Sequence, residues 1–135
     1  MPSPADSWWP EVARILIIED NPSNMTLAKF VLESAGHVVL AAVDAEAGVT
    51  LARDQRPELI LMDIQLPGMD GLEATALLKR DPATRSIPVV ALTALAMKGD
   101  EERIRAAGCD GYIAKPLDYK EFLASVTAHL APGRR

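Results

Sequence analysis

Short, wholly apolar runs alternate with longer segments of helical length along most of this chain. Each run is a few residues long and rich in valine, isoleucine or leucine, which is typical of strands buried on both faces of a sheet. The five runs are Ile15–Ile18, Val38–Ala42, Leu59–Met62, Val89–Leu92 and Tyr112–Ala114. The alternation predicts five strands, each followed by a helix, and therefore a parallel sheet covered on both sides.

The segments between the runs carry helix signals. The first begins after Asn21, with Pro22 suited to the first helical position, and stops at Gly36. Asp118 and Glu121 form a capping-box pattern at the start of the last segment. The remaining helices are predicted at roughly Asp44–Asp54, Gly71–Lys79, Lys98–Ala107 and Asp118–Leu130.

A polar residue follows directly after four of the five apolar runs. These residues are Glu19 and Asp20 after the first run, then Asp63, Thr93 and Lys115 after the third, fourth and fifth. Because parallel strands point the same way, their carboxyl ends meet at one edge of the sheet, where open α/β sheets bind ligands. We therefore expect three carboxylates, a hydroxyl and an ammonium group to lie close together.

This set of groups indicates metal-assisted phosphoryl chemistry. Three clustered carboxylates repel one another unless some are protonated or a cation joins them, and hard oxygen ligands favour Mg²⁺. A carboxylate beside such a metal can attack a phosphoryl donor and form an acyl phosphate. The ammonium of Lys115 and the hydroxyl of Thr93 would then compensate the charge on the phosphoryl oxygens. His37 and His129 fall away from this edge.

Composition narrows the class of protein further. A chain of 135 residues is expected to form one domain, and its net charge of −5 argues against nucleic-acid binding by phosphate neutralisation. Cys109 is the one cysteine, so no intramolecular disulfide can form, and a reducing compartment is expected. No apolar run reaches the ~20 residues that cross a bilayer, and no signal-peptide pattern is present. The sequence therefore predicts a soluble, cytoplasmic protein.

Four stretches, in this order, resemble the receiver domains of two-component response regulators: LIIEDNPSN, LILMDIQLPGMDG, VVALTA and GYIAKP. The resemblance runs from about Ala13 to Leu130. Residues 93–116 are especially similar to single-domain regulators of the DivK type and to receivers attached to hybrid histidine kinases. It implies a flavodoxin-like, CheY-like (βα)5 fold with strand order 2-1-3-4-5.

The resemblance also implies a role for each residue that handles the phosphoryl group. Asp63 would be the phosphoacceptor, and Thr93 and Lys115 would hold the phosphoryl oxygens. Tyr112 would be the aromatic switch residue that moves inward as Thr93 shifts. The Lys115-Pro116 bond would be cis, a geometry that X-Pro bonds adopt at low cost.

The metal implied by the resemblance is Mg²⁺ or Mn²⁺. Asp20 and Asp63 would bind it directly, Glu19 largely through water, and the backbone carbonyl of Gln65 would be a further ligand. Glu19 stands where aspartate is commoner in the family. Its extra methylene is expected to change the geometry of the metal site without abolishing binding.

On this interpretation a phosphohistidine protein, either a histidine kinase or a histidine phosphotransfer protein, docks beside the first helix at Asn24–Leu32. Phosphorylation would change the partner preference of the surface made by the fourth helix, fifth strand and fifth helix. The chain is then a phosphoacceptor switch that assists its own phosphorylation and dephosphorylation, and not an enzyme in the usual sense. Output would pass to a downstream protein from a monomer or weak dimer, with no DNA-binding domain and no membrane.

Three other functions fit the sequence less well. A phosphatase of the haloacid dehalogenase type needs a second aspartate two positions after the nucleophile, where this chain has Gln65. An FMN-binding flavodoxin needs a phosphate loop after the first strand, where Glu19 and Asp20 would repel the phosphate. A receiver that no longer takes phosphate is disfavoured because every acceptor and activating residue is present.

The ends of the chain are predicted to lie outside the domain, which would span residues 13–131. Residues 1–12 carry three prolines and are expected to form a flexible arm, and residues 132–135 a tail. The Trp8-Trp9 pair in the arm is expected to fold against the body, with docking to a partner as the alternative. Single residues also have simpler interpretations: Asp20 as a helix cap, Thr93 as an ordinary strand residue, Tyr112 as packing and Cys109 as a small buried filler.

Overall fold

The computed structural model describes residues 12–94 and 98–130, and within them five strands alternate with five helices. The strands are β1 (Arg14–Ile18), β2 (Val38–Ala42), β3 (Leu59–Asp63), β4 (Val89–Thr93) and β5 (Gly111–Ala114). The helices are α1 (Pro22–Ser34), α2 (Ala45–Gln55), α3 (Gly71–Arg80), α4 (Lys98–Ala106) and α5 (Tyr119–Leu130). The predicted element order is confirmed, with ends that differ by one or two residues.

All neighbouring strands pair in parallel, in the order β2-β1-β3-β4-β5. This confirms the predicted CheY-like topology. The chain starts in the middle of the sheet and moves outward in both directions, so that β1 and β3 are central neighbours. Two strands extend one residue beyond the predicted apolar run, because Asp63 pairs with Leu92 and Thr93 with Ala114. Asp63 and Thr93 therefore belong to the sheet itself.

Alternate residues of the central strands fill two separate cores. Ile15 and Ile17 face one side with α1 and α5, whereas Leu16 and Ile18 face the other with α2, α3 and α4. This follows from the period of two in a strand. The first core also contains Leu32 of α1 and Phe122 of α5. All five residues of β3 and of β4 are buried, which explains their unbroken apolar sequence.

Local signals fix where the helices begin. The Asn21 side chain accepts a hydrogen bond from the Asn24 N–H and caps α1. A reciprocal capping box forms at Asp70 and Glu73, at the start of α3, where the sequence analysis predicted none. At the predicted box, the Asp118 carboxylate accepts hydrogen bonds from the N–H groups of residues 120 and 121.

Gly71 determines how closely α3 approaches the carboxyl end of β3. A Cβ atom at this position would overlap the backbone carbonyl oxygen of Asp63 and crowd the Cα of Ile64. The Gly71 N–H donates instead to the Ile64 carbonyl at 2.9 Å. Glycine lets the helix start directly against the strand end, and this contact sets the backbone position of Asp63.

Candidate functional site

Asp63 lies at the carboxyl end of the central strand β3, and 4 % of its surface is exposed. Its Oδ1 accepts a hydrogen bond from the Gln65 N–H at 3.0 Å, which holds the carboxylate in a fixed orientation. The other oxygen, Oδ2, faces the Lys115 ammonium at 3.2 Å. The carboxylate is thus shielded by the fold, with one oxygen directed at a cation.

Glu19 and Asp20 follow the neighbouring strand β1 and complete an acidic cluster. One carboxylate oxygen from each of Glu19, Asp20 and Asp63 lies within 4.8 Å of the others. Glu19 is buried, and its Oε2 accepts a hydrogen bond from the Asn21 N–H at 3.0 Å, whereas Asp20 is exposed. The cluster therefore opens to solvent on the side of Asp20.

Lys115 follows β5 and supplies a cation to this group of side chains. Its ammonium lies 2.9 Å from Glu19 Oε1 and 3.2 Å from Asp63 Oδ2, so that it bridges two acids from different strands. The Lys115 N–H donates to the Thr93 carbonyl at 2.8 Å, which extends the ladder between β4 and β5 beyond the last strand residue. The Lys115-Pro116 peptide bond is cis.

Burial and neighbouring charges shift the pKa values of Asp63 and Lys115. Burial raises the pKa of Asp63, and the hydrogen bond and like charge of Glu19 raise it further, against smaller lowering effects from the Gln65 N–H and the Lys115 charge. For Lys115, burial lowers the pKa, but its contacts with Glu19 and Asp63 outweigh that effect and raise it overall. The charged ammonium is therefore retained while the acids compete for it.

These residues fit a divalent cation. Glu19 Oε1 is buried and, among the described residues, has no hydrogen-bond partner besides the ion pair to Lys115. Three carboxylates facing one ammonium leave an excess of negative charge, and oxygen-only ligands are those that Mg²⁺ prefers. Burial and the charge of Glu19 both disfavour the ionised form of Asp63, and such an ion would offset these effects.

Thr93 and Tyr112 occupy the two strands on the other side of Asp63. Thr93 ends β4 and is buried. Tyr112 lies in β5 opposite Ala91 and packs against the core on the side of α2, α3 and α4. A hydrogen bond to the Glu101 carboxylate of α4 raises the pKa of Tyr112, with burial and the charge of Glu101 adding to the effect. Sequence analysis missed this tyrosine–glutamate contact.

His37, His129 and Cys109 make contacts outside the acidic cluster. His37 Nδ1 accepts a hydrogen bond from the Ala13 N–H, and His129 Nδ1 lies 2.8 Å from the Ser125 carbonyl. The Cys109 thiol is buried 3.7 Å from the Thr75 hydroxyl, and burial raises its pKa. Trp8 and Trp9 lie outside the described residues.

Comparison with known proteins now identifies the architecture. The family model of the response regulator receiver domain matches residues 15–127. The chain belongs to this family. The receiver is 47 % identical over 116 residues to the polar-differentiation response regulator DivK of Brucella anthropi, an alignment that covers 86 % of this chain and 94 % of DivK.

Solved structures agree with that assignment. The receiver domain of the sensor histidine kinase PA1611 from Pseudomonas aeruginosa is 37 % identical, with a TM-score of 0.82 over 89 % of this receiver and 98 % of that chain. That structure has a magnesium ion coordinated in its active-site cleft. The chemotaxis response regulator CheY4 of Vibrio cholerae, at 23 % identity, shares the fold with a TM-score of 0.85 over 89 % of this receiver and all of that chain.

The family assignment confirms the function class predicted from the sequence: a DivK-like receiver with a phosphoacceptor role in two-component signalling. Receivers of this family are switches and not conventional enzymes, which argues against the phosphatase and flavodoxin alternatives. Within the described residues, no helix is both long and apolar enough to span a bilayer.

Proposed function

We propose that Asp63 is the phosphoacceptor of this receiver and that the surrounding groups activate it. The observation that carries the proposal is the bridge from the Lys115 ammonium to Asp63 Oδ2 and Glu19 Oε1, beside a cluster of three carboxylates. This arrangement holds a nucleophilic oxygen beside one fixed cation and a place for a second. Both cations would face the oxygens of an incoming phosphoryl group.

Glu19, Asp20, Asp63 and the Gln65 backbone carbonyl would hold Mg²⁺ or Mn²⁺, with Glu19 acting largely through water. The metal would supply charge neutralisation at the phosphoryl oxygens and would favour the ionised form of Asp63. The chain's own groups do the rest. Asp63 Oδ attacks phosphorus, the bond from phosphorus to the donor histidine nitrogen breaks, and the imidazole leaves with its electron pair.

Lys115 and Thr93 would bind the transferred group after the reaction. The ammonium acts as a point charge on one phosphoryl oxygen, and the Thr93 hydroxyl donates to another. The same contacts would polarise the acyl phosphate for attack by water, so that the domain assists its own dephosphorylation. Phosphorylation adds about −1.5 to −2 charge at this edge of the sheet.

The switch would run from Thr93 to Tyr112 and then to the surface formed by α4, β5 and α5. Drawing Thr93 towards the phosphoryl group frees space beside β4 that the Tyr112 ring can enter, at the expense of its contact with Glu101 of α4. Moving such an equilibrium from 1:99 to 99:1 takes about 5.5 kcal/mol of differential stabilisation. Several charge-assisted hydrogen bonds formed together supply energy of that order.

The partners follow from the same chemistry. The donor would be a histidine kinase or a histidine phosphotransfer protein that docks beside α1, at Asn24–Leu32, next to the acidic edge. The acceptor of the signal would be a downstream protein in the cytoplasm that reads the α4-β5-α5 surface. The switching unit would span residues 13–131 and act as a monomer or weak dimer.

Incubation with acetyl phosphate and Mg²⁺ tests the proposal, with intact-protein mass spectrometry as the measurement. We expect one phosphoryl group on the unmodified chain, none on Asp63→Asn, and none when a chelator removes the metal. Asp54→Asn, an exposed aspartate in α2, is the matched control and is expected to label normally. Labelling that survives Asp63→Asn would overturn the assignment of the acceptor.

A further inference from the structure

Tyr112 and Thr93 lie on the same face of the sheet, on neighbouring strands. Tyr112 of β5 pairs with Ala91 of β4, and Thr93 comes two residues after Ala91. Because side chains alternate along a strand, Thr93 projects to the side that holds Ala91 and Tyr112, which is the side that α4 covers. The threonine and the aromatic ring of the proposed switch are therefore diagonal neighbours beneath one helix.

Little free space borders Thr93 on this side. The cavity between α3 and α4 has a volume of about 10 Å³, and Thr93, Leu72 and Ile104 are among the residues that line it. That is room for about one water molecule, far less than a phenol ring needs. An inward movement of the Tyr112 ring therefore requires displacement of Thr93, of α4 or of both.

Helix α4 buries little apolar surface of its own. Among its described side chains, residues 99–106, only Ile104 is buried. By contrast, α3 buries Ala74, Thr75 and Leu78. A segment with few buried apolar contacts belongs to the less stable part of a fold, so polar contacts have a larger share in fixing its position.

Glu101 supplies such a polar contact. Residues three apart share one face of a helix, so Glu101 lies on the same side of α4 as the buried Ile104. The half-buried Glu101 carboxylate accepts a hydrogen bond from the Tyr112 hydroxyl. This bond joins α4 to β5 and holds the phenol at the helix. One contact thus restrains both parts that the switch has to move.

We infer that Glu101 is a positioning residue that keeps the resting receiver inactive, because its hydrogen bond to Tyr112 has to break before the ring can move towards Thr93. The inference rests on the proposed function of Asp63 and adds the regulation of that site. The apparent affinity for a phosphoryl group falls in proportion to the fraction of molecules in the competent state. Loss of the Glu101 carboxylate should therefore make the receiver easier to activate.

Tyrosine ¹³Cζ NMR tests the contact in the resting protein. Glu101→Ala removes the acceptor, and Glu102→Ala is the matched control, since it removes the same charge from the next, exposed position of the same helix. The raised pKa of Tyr112 should fall towards its ordinary value in Glu101→Ala and stay raised in Glu102→Ala. The same pKa in both variants would overturn the inference.

Titration with beryllofluoride and Mg²⁺, followed by the Thr93 amide signal, tests the effect on the switch. Loss of one hydrogen bond to a charged group should raise the competent fraction by about tenfold and tighten half-saturation by the same factor. Glu101→Gln keeps an acceptor oxygen and should have an intermediate effect. In Tyr112→Phe, which keeps the ring and lacks the hydroxyl, Glu101→Ala should have no further effect.

The outcomes separate this inference from the proposed function. Equal affinities of Glu101→Ala and Glu102→Ala, beside normal binding by the unmodified chain, would overturn the role of Glu101 and leave that of Asp63. An undiminished effect of Glu101→Ala in Tyr112→Phe would also overturn it, because Glu101 would then act by another route. Failure of the unmodified chain to bind beryllofluoride would contradict the proposed function of Asp63, and the inference would fall with it.

Discussion

The amino and carboxyl edges of the sheet differ in how their polar groups are satisfied. The amino edge has a cleft of about 530 Å³, lined by residues that include Arg56, Glu58 and His129. Glu58 Oε1 there accepts from the Arg14 N–H, and His129 Nδ1 contacts the Ser125 carbonyl. At the carboxyl edge, the buried Glu19 Oε1 has the Lys115 ammonium as its only partner among the residues that the structure describes.

The difference points to unsatisfied charge, and not to cavity volume, as the basis of the proposed chemistry at the carboxyl edge. Glu58 and His129 of the amino-edge cleft have local partners, so a ligand that binds them would have to displace existing hydrogen bonds. At the carboxyl edge, the buried carboxylates of Glu19 and Asp63 share the ammonium of Lys115. A cation that binds there would reduce the repulsion between them and the free-energy cost of their burial. Substitutions at the two edges should therefore have effects of different size and kind.

The largest effect on stability is expected from Lys115→Met. The substitution leaves Glu19 and Asp63 adjacent and buried without their counter-charge, which should lower the free energy of unfolding by about 3 kcal/mol in the absence of metal. Urea denaturation at neutral pH measures it. Mg²⁺ should restore part of the loss, and Lys29→Met, at an exposed lysine of α1, should change little. Equal effects of the two substitutions would contradict the proposed role of the Lys115 bridge.

Removing acidic ligands should have the next largest effect, on metal affinity. Replacing residues that only orient metal ligands commonly weakens binding by about 10- to 100-fold, so loss of two carboxylates of the cluster should weaken it by at least about 100-fold. Titration calorimetry with Mg²⁺ on the Glu19→Gln, Asp20→Asn double variant measures the change. Unaltered affinity would place the metal elsewhere.

Asp63→Asn should give a smaller effect, of opposite sign to Lys115→Met. The folded-state pKa of Asp63 is raised, so the folded protein binds its proton more tightly than the unfolded chain does. Stability of the metal-free protein should therefore fall as pH rises from the unfolded carboxyl pKa towards the raised value. Asp63→Asn removes that loss and should stabilise the protein at neutral pH, by ~1.4 kcal/mol for each pKa unit of the shift.

Asp81 offers an internal contrast for the same pH series. Its pKa is lowered by the hydrogen bond from the Ala83 N–H and by the Arg53 guanidinium. Its contribution is therefore present above the unfolded pKa and is lost as pH falls through the folded value. Asp81→Asn should leave the loss of stability at high pH unchanged. Asp63→Asn should reduce that loss. Matching pH profiles for the two variants would contradict the assignment.

The smallest effect is expected from Glu58→Gln at the amino edge. The amide keeps an oxygen able to accept from the Arg14 N–H, so the free energy of unfolding should change by about 0.5 kcal/mol or less. Denaturation measures stability, and calorimetry should show unchanged Mg²⁺ affinity. A weakened metal site in this variant would mean that the two edges are coupled through the sheet.

Much of the fold and of the candidate site was predictable because the signals are local. A wholly apolar run followed by a polar residue marks a buried parallel strand and its carboxyl end, so Asp63, Thr93 and Lys115 could be placed at one edge before any coordinates. The contacts that depend on side-chain conformation between elements could not. The Tyr112–Glu101 hydrogen bond joins β5 to α4, and no spacing in the sequence encodes it.

Other details were hidden because two equivalent signals compete. Asp70-Glu73 and Asp118-Glu121 have the same capping-box spacing, and the reciprocal box at the first pair went unrecognised. The need for glycine at position 71 arises from an approach to the Asp63 carbonyl that only the assembled helix and strand create. The amino-edge cleft was also missed, because loops from distant parts of the chain form it.

The parallel order of the strands has a practical consequence for engineering this molecule. Each of the candidate reactive side chains comes from the carboxyl end of a strand, so the turns at the opposite end carry none of them. A reporter domain grafted into the turn between α2 and β3, where Arg56 is exposed and adopts a left-handed backbone, would sit a full strand length from the phosphoryl chemistry. That turn is the natural attachment point for a sensor that must leave signalling intact.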